Sequence, residues 1–249
     1  MQKIIRSRKG GGRVIYIPIA ALLIALLTIF GLSTFLRIMN VEVSGVLTYT
    51  EEEIVRISGI VQGDNMLLIN RNITAQRIVA ELPHISAVSI VRIWPDTVRI
   101  EITESVAVAS IRYQGSALII DSDGRILQTR ADAPDGLIAV RGLSPTDPVP
   151  GSALRTEPDA VERVNILLVM LDAIETAGIQ HNVSELDMTN LINITIRYSG
   201  RINVRLGSTD DVQNKLRLFS EAVEGIPQNQ SGTFDMRDSN PSNWRFQHD

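Results

Sequence analysis

The sequence predicts an α+β protein in which one membrane-spanning helix precedes two mixed units of strands and helices. Three observations carry that prediction. Residues 14–36, VIYIPIAALLIALLTIFGLSTFL, form a run of 23 without a charge. Beyond it, apolar residues recur at every second position in short runs broken by turn pairs such as Pro95-Asp96 and Ser199-Gly200, the pattern of half-buried strands. Between those runs lie stretches with apolar residues at i, i+3, i+4 and i+7, the pattern of a helix with one buried face.

A helix rises ~1.5 Å per residue, so residues 14–36 suffice to cross a hydrocarbon core of ~30 Å. A single segment in lipid satisfies its backbone only as a helix, and Pro18 falls near its first turn, where a missing N–H does little harm. The first 13 residues, MQKIIRSRKGGGR, carry Lys3, Arg6, Arg8, Lys9 and Arg13 and no acid, whereas Glu42, Glu51, Glu52 and Glu53 follow the run. The positive-inside bias puts the N-terminus in the cytoplasm and everything past Leu36 outside. A reporter fused after Asp249 is therefore expected to be active only outside the cytoplasm. The apolar core of a secretory signal is usually only ~7–15 residues, and no small-x-small site follows this run, so it reads as an uncleaved anchor. Gly10–Gly12 has no strand before it and no Gly-Lys-Ser/Thr after it; it reads as a juxtamembrane segment whose charges meet anionic head groups.

Of the 24 basic residues five lie in that stub, leaving 19 against 28 acidic ones and a net charge near −9 for the rest. A net-acidic outer part without a Lys/Arg cluster argues against nucleic acid as a partner. There is no cysteine, which excludes disulfides and thiolate metal sites. About 210 residues follow the anchor, enough for one large domain or two small ones.

The first unit opens with a strand over Ile38–Ser44, in which Val41 and Val43 alternate with Glu42. Thr50-Glu51-Glu52-Glu53 is a capping-box pattern that starts a helix ending near Ser58-Gly59. A second helix is expected over Thr74–Leu82, with Ala75, Ile78, Val79 and Leu82 on one face and Pro83 as its stop. A hairpin follows, Ala87–Trp94 out and Thr97–Glu104 back. In the return strand Val98, Ile100 and Ile102 share a face, whereas Ile90, Val91 and Ile93 break the alternation of the outgoing one. The order is strand–helix–helix–strand–strand, three strands with two helices on them.

The second unit is expected to hold strands at Val106–Tyr113, Ala117–Ile120 and Arg125–Gln128, then a stretch rich in Pro, Gly and Asp over Ala131–Gly151. A long helix follows, with Thr156 as cap, Pro158 in its first turn, Val161, Val164, Leu168 and Leu171 as its seam and Gly178 as its end. A hairpin about Ser199-Gly200 sets Ile192, Ile194 and Ile196 against Ile202, Val204 and Leu206. A last helix, Thr209–Glu224, puts Val212, Leu216, Phe219 and Val223 on one side. Gly232–Arg237 reads as a final strand and Asp238–Asp249 as a polar tail.

Signatures of chemistry are missing. His84, His181 and His248 share no metal-ligand spacing. Asp121-Ser122-Asp123-Gly124 opens like a calcium loop but lacks the downstream Glu and reads as a β-turn. No G-x-S-x-G, P-loop or S-x-x-K pattern occurs, and Asn-x-Ser/Thr at Asn72, Asn182, Asn193 and Asn229 matters only in a glycosylating compartment. Neither a catalytic nor a cofactor-binding residue is expected.

Several segments resemble a known family. Val41-Glu42-Val43-Ser44-Gly45, Thr50-Glu51-Glu52-Glu53-Ile54, Ser58-Gly59-Ile60, Gly63-Asp64-Asn65-Met66-Leu67 and Trp94-Pro95-Asp96-Thr97-Val98 are similar to the POTRA segment of the FtsQ/DivIB cell-division family. Ile120-Asp121-Ser122-Asp123-Gly124, Leu186-Asp187-Met188-Thr189-Asn190, Gly200-Arg201-Ile202-Asn203-Val204-Arg205-Leu206-Gly207 and Gly232-Thr233-Phe234-Asp235-Met236-Arg237 are similar to its second, β domain. The resemblance covers residues 14–237 in the family's order, and Ala107 stands where the family usually has Pro. It implies a stub (1–13), a transmembrane helix (14–36), a β-α-α-β-β POTRA domain (38–104), a β domain with a mainly antiparallel sheet and two helices (106–237), and a tail (238–249). It also implies a non-enzymatic scaffold of the divisome without cofactors, binding partners of the FtsL and DivIC/FtsB type and components of the septal synthase at the division septum, and helping to place and control septal wall synthesis. A POTRA-bearing export or assembly factor and a membrane-anchored wall hydrolase or solute binder stay open as alternatives.

The expected partner site is the exposed edge of the last strand, Thr233, Phe234, Asp235, Met236 and Arg237, because an edge strand offers unpaired N–H and C=O groups to an incoming strand. The resemblance implies the same place, as the family's small coiled-coil partner docks on the matching strand. The opposing possibility is that Phe234 and Met236 face the core and the tail blocks the edge. On the first view, ending the chain at Gln230 abolishes partner capture and ending it at Asp238 leaves most of it.

Overall fold

The computed structural model describes the backbone of residues 13–238 and 240–248, and the side chains of 16–27, 31, 36–158, 160–238 and 240–248. Lys3, Arg6, Arg8, Lys9 and the Gly10–Gly12 run lie outside the described residues, as does the side chain of Arg13. The described chain divides into two compact units. One reaches to Ile78 and takes in Ala87–Thr103; the other comprises Val79–Ser86 and everything from Glu104.

The first unit begins with helix α1 (Arg13–Phe35), where a helix was expected. Its described side chains, Tyr16 to Leu27, are exposed. Among the described residues no helix is long and apolar enough to cross a membrane. Then come β1 (Asn40–Ser44), α2 (Glu51–Ser58), α3 (Arg71–Glu81), β2 (Ile85–Ile93) and β3 (Thr97–Glu104). The three strands form one sheet in the order β1-β3-β2, with β1 parallel to β3 and Val43 opposite Ile100.

Local chemistry sets these boundaries. β1 starts later than the alternation suggests because Ile38 is bonded elsewhere, donating to the Asp64 carbonyl at 2.9 Å and accepting from the Gly63 N–H at 2.8 Å. Thr50 caps α2 as expected, its hydroxyl oxygen accepting from the Glu53 N–H at 3.2 Å, and Gly59 ends the helix in the left-handed region at φ 70°. α3 starts at Arg71 rather than Thr74, since the Asn70 side chain accepts from the Ile73 N–H at 3.2 Å and acts as the N-cap. Ile78 is buried on its inner face. In β3, Val98, Ile100 and Ile102 are buried, as alternation requires. In β2, Ile85 and Ile90 are both buried, although a regular strand would put them on opposite faces.

The second unit holds β4 (Ala109–Tyr113), β5 (Ser116–Ile120), β6 (Ile126–Arg130), β7 (Ile138–Arg141), α4 (Val161–Thr176), β8 (Val183–Asp187), β9 (Ile194–Tyr198), β10 (Ile202–Gly207), α5 (Val212–Val223), β11 (Gly232–Asp235) and β12 (Arg245–His248). Among the described residues its strands make one nine-stranded sheet, β12-β11-β10-β9-β8-β7-β4-β5-β6. The sheet is mixed: β4 with β7, β7 with β8 and β10 with β11 run parallel, and the remaining pairs antiparallel. A single apolar core joins the sheet to α4 and α5, and Gln213 ties those two helices by donating to Asp172 at 2.9 Å.

Two expectations about α4 are corrected. Thr156 is not its cap: it bridges to Pro145, and a 3-10 turn over Pro158–Ala160 leads into the helix without a side-chain cap. The buried face is Leu167, Met170, Leu171 and Ile174, while Val161 is exposed. That face repeats with the same helical period as the expected seam and shares Leu171 with it, rotated by about 100°. In α5, Val212, Leu216, Phe219 and Val223 are buried as expected, joined by Lys215, whose ammonium donates to the Leu206 carbonyl at 2.8 Å. The buried carboxylate of Asp121 accepts from the Asp123 and Arg125 N–H groups at 3.1 and 2.8 Å, an Asx turn. Among the described residues no group of three His, Asp or Glu is arranged to hold a metal.

Candidate partner-binding edge

The strand expected at the edge, Gly232–Arg237, is shorter and is covered on both sides. β11 (Gly232–Asp235) lies parallel to β10, with Val204 opposite Phe234 and Arg205 opposite Asp235. On its other side it pairs antiparallel with β12, with Thr233 opposite Gln247, Phe234 opposite Phe246 and Asp235 opposite Arg245. The exposed edge expected at Thr233, Phe234, Asp235, Met236 and Arg237 is therefore corrected: β12 is the outermost strand, and the polar tail is in part a strand.

The inner side of β11 explains why it is held. Phe234 and Met236 are buried, and the Met236 N–H donates to the Arg205 carbonyl at 2.8 Å. Phe234 meets Phe219 of α5 edge to face, ring centres 5.6 Å apart, a favoured aromatic geometry. Thr233 and Asp235 are half-buried and Arg237 is exposed. Before β11, the Arg201 guanidinium donates to the carbonyls of Pro227 and Gln230 at 3.2 and 2.6 Å, fastening the loop that delivers the strand.

β12 is fixed by one apolar contact and one built turn. Phe246 lies 6.2 Å from Phe234 and 4.8 Å from His248, centre to centre. The turn is organised by Asp238, whose carboxylate accepts from the Asn240 N–H at 2.8 Å and the Asn243 amide at 2.7 Å. Its carbonyl accepts from the Trp244 indole at 2.8 Å. Asn240 caps a short 3-10 turn by accepting from the Ser242 N–H at 3.0 Å. Asn, Ser and Asp are frequent here because they build turns. The signal for the strand was present: Trp244 and Phe246 alternate with Arg245 and Gln247.

Gly232 makes room for this pairing. A Cβ there would collide with the Gln247 carbonyl and press on the Phe246 ring. Gly232→Ala should therefore detach β12 at a cost of about 1–3 kcal/mol, the usual range for overpacking. In a Trp94→Phe background the emission of Trp244 should shift red; unchanged emission would contradict the tight approach.

Two carboxylates link this edge to pH. The Arg237 guanidinium hydrogen bond holds Asp235 below the ordinary aspartate value of 3.8, and the Asn240 N–H followed by the Asn243 amide does the same for Asp238. Both groups favour the folded edge fully above about 3.8 and lose that contribution as pH falls through their lowered values. Trp244 emission should hold steady down to about pH 4 and shift red below it, and a shift centred near neutrality would contradict this assignment.

Residues 36–105 match the sequence profile of the POTRA domain, FtsQ-type, and residues 109–237 that of the cell division protein FtsQ/DivIB, C-terminal. The cell division protein FtsQ of Streptomyces griseus is 26% identical over 205 residues, spanning 82% of this chain and 94% of its own. The cell division protein DivIB of Clostridium botulinum (strain Hall) is 28% identical over 184 residues, spanning 73% of this chain and 70% of its own. The major extracytoplasmic domain of DivIB from Geobacillus stearothermophilus aligns with 50% of this chain and 90% of its own at 11% identity and a TM-score of 0.30, too slight a likeness to bear on the fold.

Proposed function

Since the chain belongs to the FtsQ/DivIB family of cell-division proteins, we propose that it is a non-enzymatic, single-pass membrane scaffold of the divisome. Residues 14–36 anchor it, with Lys3, Arg6, Arg8, Lys9 and Arg13 holding the stub in the cytoplasm and the POTRA and β domains outside. It binds division proteins of the FtsL and DivIC/FtsB type at the septum and helps to position septal wall synthesis. The reporter fused after Asp249 tests the topology, and activity of a cytoplasm-only reporter there would overturn it.

The observation that carries the partner site is the outer edge of β12, which has no neighbouring strand among the described residues. Arg245, Gln247 and His248 are exposed along it and Phe246 is half-buried, so an incoming strand finds main-chain groups for register and side chains for specificity. Of the residues expected to bind the partner directly, Thr233, Phe234 and Asp235 pair with β12 from the neighbouring strand, while Met236 and Arg237 follow that strand.

The test is capture of the family's small coiled-coil partners from membranes by the full chain and by a chain ending at Asp238. Loss of β12 should weaken capture at least about tenfold, which corresponds to only ~1.4 kcal/mol. Undiminished capture would remove β12 as the site. Stronger capture would mean that the partner strand takes β12's place on β11, returning the contact to Thr233–Arg237.

A further inference from the structure

Three segments of the first unit are fastened to the residues that directly follow α1. The Met66 N–H donates to the Leu36 carbonyl at 2.9 Å, the Gly63 N–H to the Ile38 carbonyl at 2.8 Å, and the Met39 N–H to the Asp96 carbonyl at 2.8 Å. The loop after α2, the 3-10 turn Met66–Leu68 and the turn between β2 and β3 therefore all lie at the α1 end of this unit. Leu36, Ile38 and Met66 are buried there. Their neighbours are not: Met39 is 60% exposed, Val61 63%, Leu67 49%, Leu68 82% and Trp94 58%.

Single exposed apolar residues are ordinary. Five gathered at one end, a tryptophan among them, are the composition of a surface that meets a membrane interface. The polar groups of this end fit the same occupant. Arg37 and Arg71 are exposed, and Arg92 clamps the loop by donating to the Ile69 carbonyl at 2.9 Å. The same end also carries two carboxylates, Asp64, which accepts from the Val61 N–H at 3.2 Å, and Asp96, which accepts from the Thr97 hydroxyl at 3.0 Å, against the three arginines. Arginines around an apolar patch match anionic head groups around acyl chains.

We propose that Met39, Val61, Leu67, Leu68 and Trp94 seat the POTRA domain in the interface of the bilayer that its own anchor crosses. The proposal rests on the reading of residues 14–36 as that anchor. Leu36 is the last residue of the span and Met66 is bonded to it, so Leu67 begins within one residue's reach, about 3.8 Å, of the same level. The two further attachments to the chain just beyond the span, Gly63 to Ile38 and Met39 to Asp96, limit how far this end tilts away from the bilayer.

The test uses the full chain with Trp244→Phe, leaving Trp94 as the sole tryptophan. It is reconstituted into phosphatidylcholine–phosphatidylglycerol vesicles, with and without bromine on the acyl chains near the head group. Flotation with the vesicles reports the anchor, and quenching by bromine reports the patch. Trp94 emission should be blue-shifted and quenched, and Leu67→Glu with Leu68→Glu should reduce the quenching while the chain still floats. If the chain floats and Trp94 emits as in water without quenching, the patch belongs to a protein partner or to none; this proposal falls and the anchor stands. Quenching unchanged by the double substitution also overturns it. If the chain does not float, the anchor reading fails and this proposal with it.

Discussion

Ile100→Asp should abolish the cooperative unfolding of the first unit. Ile100 is fully buried on β3, the middle strand of the sheet, opposite Val43 of β1 and between the buried Val98 and Ile102 on the same face. A carboxylate placed there loses its water and finds no cation, because the neighbouring core positions are aliphatic. An uncompensated buried charge costs about 3–5 kcal/mol, and the lost packing of Ile adds to it. The whole stability of a domain is only about 5–15 kcal/mol, and a three-stranded unit with two short helices belongs near the lower end. The change therefore exceeds or nearly exhausts what holds the unit together. Differential scanning calorimetry or amide exchange of the full chain reads this directly: protection over Asn40–Glu104 should vanish. Ile100→Val should cost only about 0.5–1.5 kcal/mol and keep the transition. Retained protection in the Asp variant would mean that β3 does not carry the core of this unit.

Much of that unit was legible because its signals are local and redundant. Thr50, three glutamates and Gly59 mark both ends of α2, and β3 alternates without a break. The boundaries that moved did so for reasons held elsewhere in the chain. Ile38 looks like strand but is bonded to Gly63 and Asp64, and Asn70 caps α3 from a stretch, Ile69-Asn70-Arg71-Asn72, that offers two asparagines as caps.

In the second unit the buried face of α5 is as expected, and the hairpin about Ser199-Gly200 forms, but its first strand begins at Ile194 and leaves Ile192 outside it and exposed; β7, β8 and β12 were missed. β8 has buried Val183 and Leu186 three apart, with a register shift between Val183 and Glu185, so it has no period of two to detect. β7 is four residues long inside a Pro-, Gly- and Asp-rich stretch. β12 was hidden by the turn that makes it possible: Asp238, Asn240 and Asn243 have the composition of a disordered tail and the geometry of a scaffold. The partner site shifted outward for that reason. Whether a strand is an edge depends on what else pairs with it, and pairing is not written within the strand.

Ending the chain at Gln230 should have the second large effect, and it separates support from contact. It removes β11 and β12 together, and with them Phe234 and Met236, both buried. The Phe219 ring loses the edge-to-face partner 5.6 Å away, and β10 becomes a bare edge. Deleting a buried Phe side chain alone costs about 3–5 kcal/mol and a buried Met about 2–5 kcal/mol; the two are neighbours, so these costs do not simply add. The second unit should melt roughly 10 °C or more below its full-length value, or fail to fold. Ending at Asp238 removes only β12, whose Phe246 is half-buried and whose other side chains are exposed, so its melting point should fall much less. Capture falls in both chains if partners dock on β12, but only the shorter loses its fold. A Gln230 chain that melts like the full chain would show that Phe234 and Met236 do not complete the core, and the support assigned to Thr233–Arg237 would fall with it.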